Sequence, residues 1–342
     1  MIYIPMLEVG PHGGCRVLIQ LANYLISKSC NVTILTSKVH RDTNYKIDDK
    51  VIIKVLFSSV SFKYFRWFLF CFFSSFYIGK GFVIANHFLT VIPSFFSKLH
   101  KRNKVLYFIQ DIEFEFYKQY RFFGYFLKKI CVLTYAFKPI VSANPYLSSR
   151  LLEYTNVDFD FNLGVDIDYI SNFKEDQKKY DVVYFLRNEV HKGRDRFDDI
   201  LSKNKDLKFL CISQNKSLLK KYEDIENVSI LTPISDGMLF SSVSKSKVLL
   251  LTSYHEGFSL PPLEAMCLGV PCILYPCGGP SVYSNKSNSV LISDSDDFSA
   301  AFIEVDCKYD YFSTNAIFES RKFNMNTSLN GFYEYLIKKE YI

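Results

Sequence analysis

The sequence predicts an α/β protein made of two doubly wound units whose parallel sheets face a central cleft. Three observations point there. At 342 residues the chain is long for one core and comfortable for two domains. Short apolar runs of strand length alternate with helix-length stretches along all of it. The alternation also starts afresh after residue 163, so each half opens with a strand followed by a loop.

In the first half, Met1–Leu7, Asn31–Thr36, Val51–Leu56, Gly81–Ala85, Lys104–Ile109 and Pro139–Val141 read as strands. Arg16–Ser27 reads as a helix, because Val17, Leu18, Leu21, Ala22 and Leu25 recur at helical spacing. Asn162–Asp168 reads as a linker. In the second half, Tyr180–Leu186, Leu207–Ile212, Val228–Leu231, Val248–Thr252, Pro271–Leu274 and Ser289–Ile292 read as strands. The expected organisation is a Rossmann-like domain over 1–163, a second over 164–325, and a C-terminal helix over 326–342 packing back on the first.

Composition supports a folded chain, with 49% apolar and 22% charged residues. The net charge of +6 is uneven: residues 1–165 carry 20 Lys and Arg against 10 Asp and Glu, and the rest carries 21 against 25. A basic, aromatic-rich first half suits an anionic partner such as a membrane surface, and equally a solvated basic face. No nucleic-acid motif accompanies it, so nucleic acid is not expected as a partner. The nine cysteines show no metal-like spacing and read as reduced thiols of a cytoplasmic protein. No basic region precedes a long apolar stretch at the start, so no secretory signal is expected. The most apolar segment, Trp67–Ile78, is too short to span a bilayer, where roughly 20 residues are needed, and reads as a buried or interfacial helix.

The chemistry concentrates after the strand Val248–Thr252. There the chain runs Tyr254-His-Glu-Gly-Phe-Ser-Leu-Pro-Pro-Leu-Glu-Ala-Met-Cys-Leu-Gly-Val-Pro. Gly257 loosens a turn, Pro261 and Pro262 suit the first turn of a helix, and Gly269 ends it. Amides near Phe258, Ser259 and Leu260 would face outward from that helix start and favour phosphate. Glu256 and Glu264 flank the turn, and carboxylates accept hydrogen bonds from sugar hydroxyls.

The Glu256/Glu264 spacing and the residues between and after them resemble the retaining family 4 glycosyltransferases of the GT-B fold. Other stretches fall in the same order along most of the chain. Gly13-Gly14 is similar to the family's glycine loop, Gly164-Val165-Asp166 to its interdomain segment, and Arg187 to Gly193 to its Arg…Lys-Gly loop. The resemblance implies that Arg187 and Lys192 neutralise a donor diphosphate without a metal or other cofactor. It implies that Glu264 holds the donor ribose, that Glu256 faces the transferred sugar, and that the backbone at Phe258, Ser259 and Leu260 contacts phosphate or sugar. Gly13 and Gly14 would let the backbone approach the donor. Taken without the resemblance, Arg187 and Lys192 are two surface cations and the glycine pair is an ordinary turn.

A narrower resemblance runs through Tyr107–Tyr117 and Gly13–Tyr24, to the bacterial rhamnosyltransferase-like subgroup that builds surface glycans. Many relatives have a His after the corresponding strand, where this chain has Gln110 and Asp111. Asp111 and Glu113 are candidates for orienting an acceptor hydroxyl, or an acidic helix start stabilised by its dipole. Gln110 and His87 are acceptor-side candidates, and His87 equally suits a structural role. Lys98, Lys101, Arg102, Lys104, Lys118, Arg121, Lys128 and Lys129 lie among aromatics, as suits the anionic bilayer interface.

The expected function is transfer of a hexosyl or deoxyhexosyl group, rhamnosyl included, with retention. The donor would be a nucleotide diphosphate sugar. The acceptor would be a lipid-linked or oligosaccharide glycan of O-antigen, capsule or related polysaccharide synthesis. The protein would be cytoplasmic and peripheral on the inner face of the membrane. A nucleotide-sugar epimerase of the same fold and a non-catalytic glycan-binding relative are the alternatives.

Overall fold

The computed structural model describes residues 1–40, 45–117, 121–233, 235–294 and 296–342. Of the basic residues named above, Lys118 and the side chain of Arg121 lie outside the described residues. The chain divides into two units, one formed by Met1–Asn162 with Ser328–Ile342 and the other by Leu163–Thr327. Each is an α/β unit with a parallel sheet, of seven and six strands.

The first unit carries β1 (Ile2–Met6), β2 (Val32–Thr36), β3 (Ile52–Val55), β4 (Phe82–Ala85), β5 (Lys104–Ile109), β6 (Ile140–Ser142) and β7 (Phe159–Asp160). Their order in the sheet is β3-β2-β1-β4-β5-β6-β7. Every residue of β1, β2, β4 and β6 is buried. Parallel strands covered on both faces need apolar residues at successive positions rather than at alternate ones, which is why they read as continuous runs. β7, two residues long, has no such run. The helices α1 (Gly13–Ser27), α2 (Lys63–Phe73), α3 (Phe88–Lys101), α4 (Arg121–Thr134) and α5 (Pro145–Leu151) follow in chain order.

Pro5 gives the middle of this sheet a local opening. Ile2 N–H donates toward the β2 side, to Asn31 O, and pleating turns the odd residues of β1 toward β4. The pairing with β4 covers Ile2 and Tyr3 only. Pro5 has no N–H to continue it, and the Asn86 side-chain amide donates to Pro5 O at 2.6 Å instead.

Helix α2 begins four residues before the apolar segment expected to be helical, and a 3₁₀ turn at Ser74–Phe76 ends it. Phe70 packs into a core cluster with Tyr3, Leu35, Leu56, Ile78 and Val83. The helix Met325–Lys338 packs Phe332 against Phe161, with ring centroids 5.1 Å apart, and Tyr335 against Phe159 at 4.5 Å. Burying Phe332 completely contributes about 2–3 kcal/mol.

The second unit carries β8 (Tyr180–Phe185), β9 (Phe209–Ile212), β10 (Val228–Leu231), β11 (Ser246–Leu251), β12 (Cys272–Leu274) and β13 (Ser289–Leu291). Their order is β10-β9-β8-β11-β12-β13. Its core joins Tyr184, Phe197, Phe209 and Tyr222 to Val248, Leu250, Ile273 and Phe302. Tyr184 stacks on Phe197 with centroids 3.9 Å apart.

Both sheets reverse their strand order once, between β1 and β4 and between β8 and β11. At such a switch point the loops leaving the C-terminal strand ends turn to opposite faces of the sheet and leave a crevice that ligands use. No described helix is long and apolar enough to cross a membrane. All nine cysteines are free thiols, six of them buried.

Candidate functional site

Two of the motif residues of the second unit, Lys192 and Glu256, meet at its switch point. The loop after β8 runs from Leu186 through a 3₁₀ turn at Val190–Lys192 to the helix Arg194–Lys203. The loop after β11 runs from Thr252 to Ser259. The two are laced together. Thr252 Oγ1 donates to Lys192 O at 3.0 Å, and Tyr254 N–H donates to His191 O at 2.8 Å. Gly193 has φ +66°, and a Cβ there would lie 2.0 Å from Thr252 O. Only glycine permits both that backbone and that approach.

This lacing brings Lys192 to Glu256. Nζ lies 2.9 and 3.0 Å from the two carboxylate oxygens, and Ser253 Oγ donates to Oε1 at 2.6 Å. The Glu256 side chain is 9% exposed and that of Lys192 26%, so the pair sits at the edge of solvent. The Glu256 backbone is held on both sides, by its own N–H to Cys277 O at 2.8 Å and by Gly279 N–H to its carbonyl at 2.9 Å. A Cβ at Gly279 would come within 2.3 Å of Gly257 O and 2.5 Å of Phe258 N, so a side chain there would displace the turn.

The helix after the turn runs Leu260–Cys267 with Ser259 as its N-cap. Ser259 has φ +64°, an uncommon conformation for a residue with a side chain. The buried Tyr283 hydroxyl reaches its carbonyl at 2.6 Å and that of Phe258 at 3.0 Å, which holds the backbone there. The amides of Phe258 and Ser259 donate to no described residue. Pro261 and Pro262 occupy the second and third helical positions and have no N–H. Of the four N-terminal positions whose donors a helix start leaves unpaired, Ser259 to Pro262, only Ser259 and Leu260 have an N–H. Glu264 lies on the second turn of this helix, 6% exposed. Arg187, in the loop after β8, is half-buried and forms no ion pair with a described residue.

Sequence reasoning did not single out Arg196. Its guanidinium lies between the rings of Tyr254 and Tyr275, 3.8 and 4.2 Å from their centroids. It donates to Thr252 O at 3.1 Å and Ser253 O at 3.4 Å and pairs with Asp294 at 2.6 Å. Its hydrogen bond holds the Asp294 carboxyl below the usual carboxylate range. Arg196 therefore fixes the two residues that lead into Glu256. Ser253 and Tyr283 were missed as well.

In the first unit, Gly13 and Gly14 open α1 after β1, with His12 as an N-cap whose side chain makes no capping bond. A Cβ on Gly14 would lie 3.3 Å from Gln110 Oε1, so Gln110 covers this turn from the end of β5. His87 caps α3: Nδ1 accepts the Leu89 N–H at 3.2 Å, and Thr90 Oγ1 accepts the His87 N–H at 3.0 Å. Burial pushes its pKa down to about 4, so the ring is neutral. The structure gives His87 a capping role.

Asp111 and Glu113 separate. Asp111 is half-buried and accepts the Ile112 N–H at 2.8 Å. Glu113 turns inward, 5% exposed, with Oε1 3.3 Å from Phe88 N and 3.4 Å from the Tyr107 hydroxyl. Its Oε2 is buried with no hydrogen-bond partner among the described residues. Burial, and more weakly the charge of Asp111, push its pKa up to about 8, against its own and the Phe88 amide. Glu113 is thus a buried carboxyl that holds its proton to about pH 8, unlike the half-buried Asp111 beside the same turn. Among the described residues no group of three or more His, Cys, Asp or Glu could hold a metal ion.

Residues 169–305 match the family model described as Glycosyl transferases group 1. That span holds Arg187, Lys192, Glu256 and Glu264. No curated protein matches the chain. Solved structures show the same GT-B fold. Sucrose-phosphate synthase from Thermosynechococcus elongatus superposes with a TM-score of 0.76 at 13% identity, covering 99% of each chain. HepE from Anabaena in complex with UDP-glucose gives 0.71 at 15%, covering 98% of this chain and 99% of that one. The lipopolysaccharide outer core galactosyltransferase WaaB gives 0.69 at 16%, covering 99% of each chain.

Proposed function

We propose that the protein is a retaining glycosyltransferase that takes a hexosyl or deoxyhexosyl group from a nucleotide diphosphate sugar. The acceptor is a lipid-linked glycan, a precursor of surface polysaccharide such as O-antigen or capsule. The observation that carries this reading is the switch point of the second unit. There Arg187, the Lys192–Glu256 pair, the amides of Phe258 and Ser259, which donate to no described residue, and the helix bearing Glu264 leave adjacent strand ends.

The chemistry follows from those groups. A diphosphate leaving group develops negative charge as the glycosidic bond breaks, and fixed cations and amides stabilise it. Arg187 and Lys192 supply the cations, so no metal is needed in this reading. Glu264 holds the ribose hydroxyls, and Glu256 faces the sugar. With retention, the departing phosphate can accept the acceptor proton, so no strong enzymic base is required. HepE binds UDP-glucose, which supports a nucleotide diphosphate sugar as donor. The protein works in the cytoplasm, peripheral on the inner face of the membrane.

The test is product analysis with purified protein, a panel of nucleotide sugars and lipid-linked acceptors. Transfer with an unchanged anomeric configuration is expected. Interconversion of the donor sugar without acceptor would instead identify an epimerase, and absence of both transfer and donor hydrolysis would remove the enzyme reading.

A further inference from the structure

Helix α2 is apolar on both sides. Arg66, Phe70 and Cys71 are buried inward. Tyr64, Phe65, Phe68, Phe72 and Phe73 are exposed, with Tyr64 67% and Phe68 52% accessible. Phe62 before the helix and Phe76 and Tyr77 after it are exposed too, Phe76 at 69%. Exposed aromatics at this density on one short segment exceed the scattered apolar residues normal on a soluble surface. A helix with apolar residues on its outer face as well as its inner one is ordinarily covered on both.

The surroundings say what covers it. Residues 51–110 contain eight Lys and Arg and no Asp or Glu. Lys63 Nζ lies over the Trp67 ring, 4.5 Å from its centroid. Lys101 Nζ donates to Phe76 O at 3.0 Å, and the His100 ring is 6.0 Å from that of Phe76, so the basic end of α3 borders the aromatic surface. A second copy of the chain would set lysines against lysines with no carboxylate in this segment to pair them. Aromatic rings bordered by lysines, with the one neighbouring carboxylate among the described contacts, Glu8, engaged by Arg66, Trp67 and His40, match a surface that is apolar beneath and anionic above.

We propose that α2 and the turn after it form an in-plane anchor that inserts Phe65, Phe68 and Phe72 into the interface of an anionic bilayer, with Lys63 and Lys101 at headgroup level. A core side chain, Phe70, holds the helix to the sheet, and the Glu8 carboxylate accepts from Arg66 at 2.7 Å and from the Trp67 indole at 3.2 Å, so the anchor is fixed to the domain before it meets lipid. The inference stands on this surface and not on the transfer reaction.

Trp67 is the protein's one tryptophan and lies on α2, so its emission reports the anchor directly. The full chain is mixed with vesicles of phosphatidylcholine alone or with phosphatidylglycerol, and sedimented. A parallel set carries brominated acyl chains. Binding about tenfold stronger or more to the anionic vesicles is expected, with quenching of Trp67 by the brominated lipid. The triple variant Phe65→Ser/Phe68→Ser/Phe72→Ser should keep the far-ultraviolet circular dichroism and lose about tenfold or more of the partitioning. No vesicle binding, binding without quenching, or a dimer in sedimentation velocity abolished by the triple variant would each overturn the proposal. None of these outcomes bears on donor binding by the second unit.

Discussion

Replacing Glu256 by Gln keeps the shape of the side chain and removes its charge, which separates the two roles assigned to this position. The ammonium of Lys192 now sits 2.9 and 3.0 Å from the carboxylate oxygens, so a donor diphosphate must compete with Glu256 for it. At an effective dielectric constant of about 20, the raw attraction across 2.9 Å is about 6 kcal/mol. Solvent at the edge of the site and the cost of desolvating both charges reduce the net worth of such a pair to about 1 kcal/mol. Releasing Lys192 in Glu256→Gln should therefore tighten binding of a nucleoside diphosphate by about fivefold. The same change should slow transfer by about a hundredfold, because the carboxylate facing the sugar is lost. Calorimetric titration with the diphosphate and a turnover assay with the full donor read the two effects on one preparation. A variant that binds the diphosphate no more tightly than the wild type would refute the competition argument.

Two further outcomes follow from Glu113 and Arg196. Glu113 holds its proton up to about pH 8 in the folded state, while the unfolded chain releases it near 4.5. The unfolded state thus binds fewer protons in that window, and stability falls as pH rises from about 4.5 to 8, by at most about 1.4 kcal/mol per pH unit. Glu113→Gln should flatten the slope in urea unfolding measured from pH 5 to 8, and equal slopes in both proteins would contradict it. Arg196→Ala should cost about 2–3 kcal/mol of stability by removing the bonds to Thr252 O and Ser253 O and the contact with two tyrosine rings. Arg196→Lys should recover little of this, because an ammonium cannot span both carbonyls from between the rings.

What could be read from the sequence divides along physical lines. Strands covered on both faces advertise themselves as apolar runs, so Val32–Thr36 and Cys272–Leu274 were legible almost to the residue. The start of α1 was not, because Gly13 and Gly14 are poor helix formers and mask its first turn. For α2 the sequence showed an apolar segment, but which rings face outward depends on how Phe70 docks on the sheet. At the candidate site, Glu256, Lys192 and the helix carrying Glu264 lie within a few residues of a strand end, where local spacing is informative. Tyr283 reaches back 24 residues to Ser259, and Arg196 reads as a surface charge beside Arg194 and Asp195 until the fold brings Tyr254 and Tyr275 around it. Likewise nothing in Glu113-Phe-Glu115 says which carboxylate turns inward. Glu113 meets the Phe88 amide, whereas Glu115 pairs with Arg150 at 3.2 Å.

The central claim is that the second unit binds the donor through the turn between Glu256 and Glu264. The most direct measurement is thermal stability of the wild type and of Glu264→Ala over a panel of nucleoside diphosphates and nucleotide sugars. Ligand at a hundred times its Kd stabilises the folded state by about 2.7 kcal/mol. The account predicts a clear upward shift in Tm of the wild type with one base, largely lost in Glu264→Ala. An equal shift in both proteins, or none with any nucleotide, would contradict it.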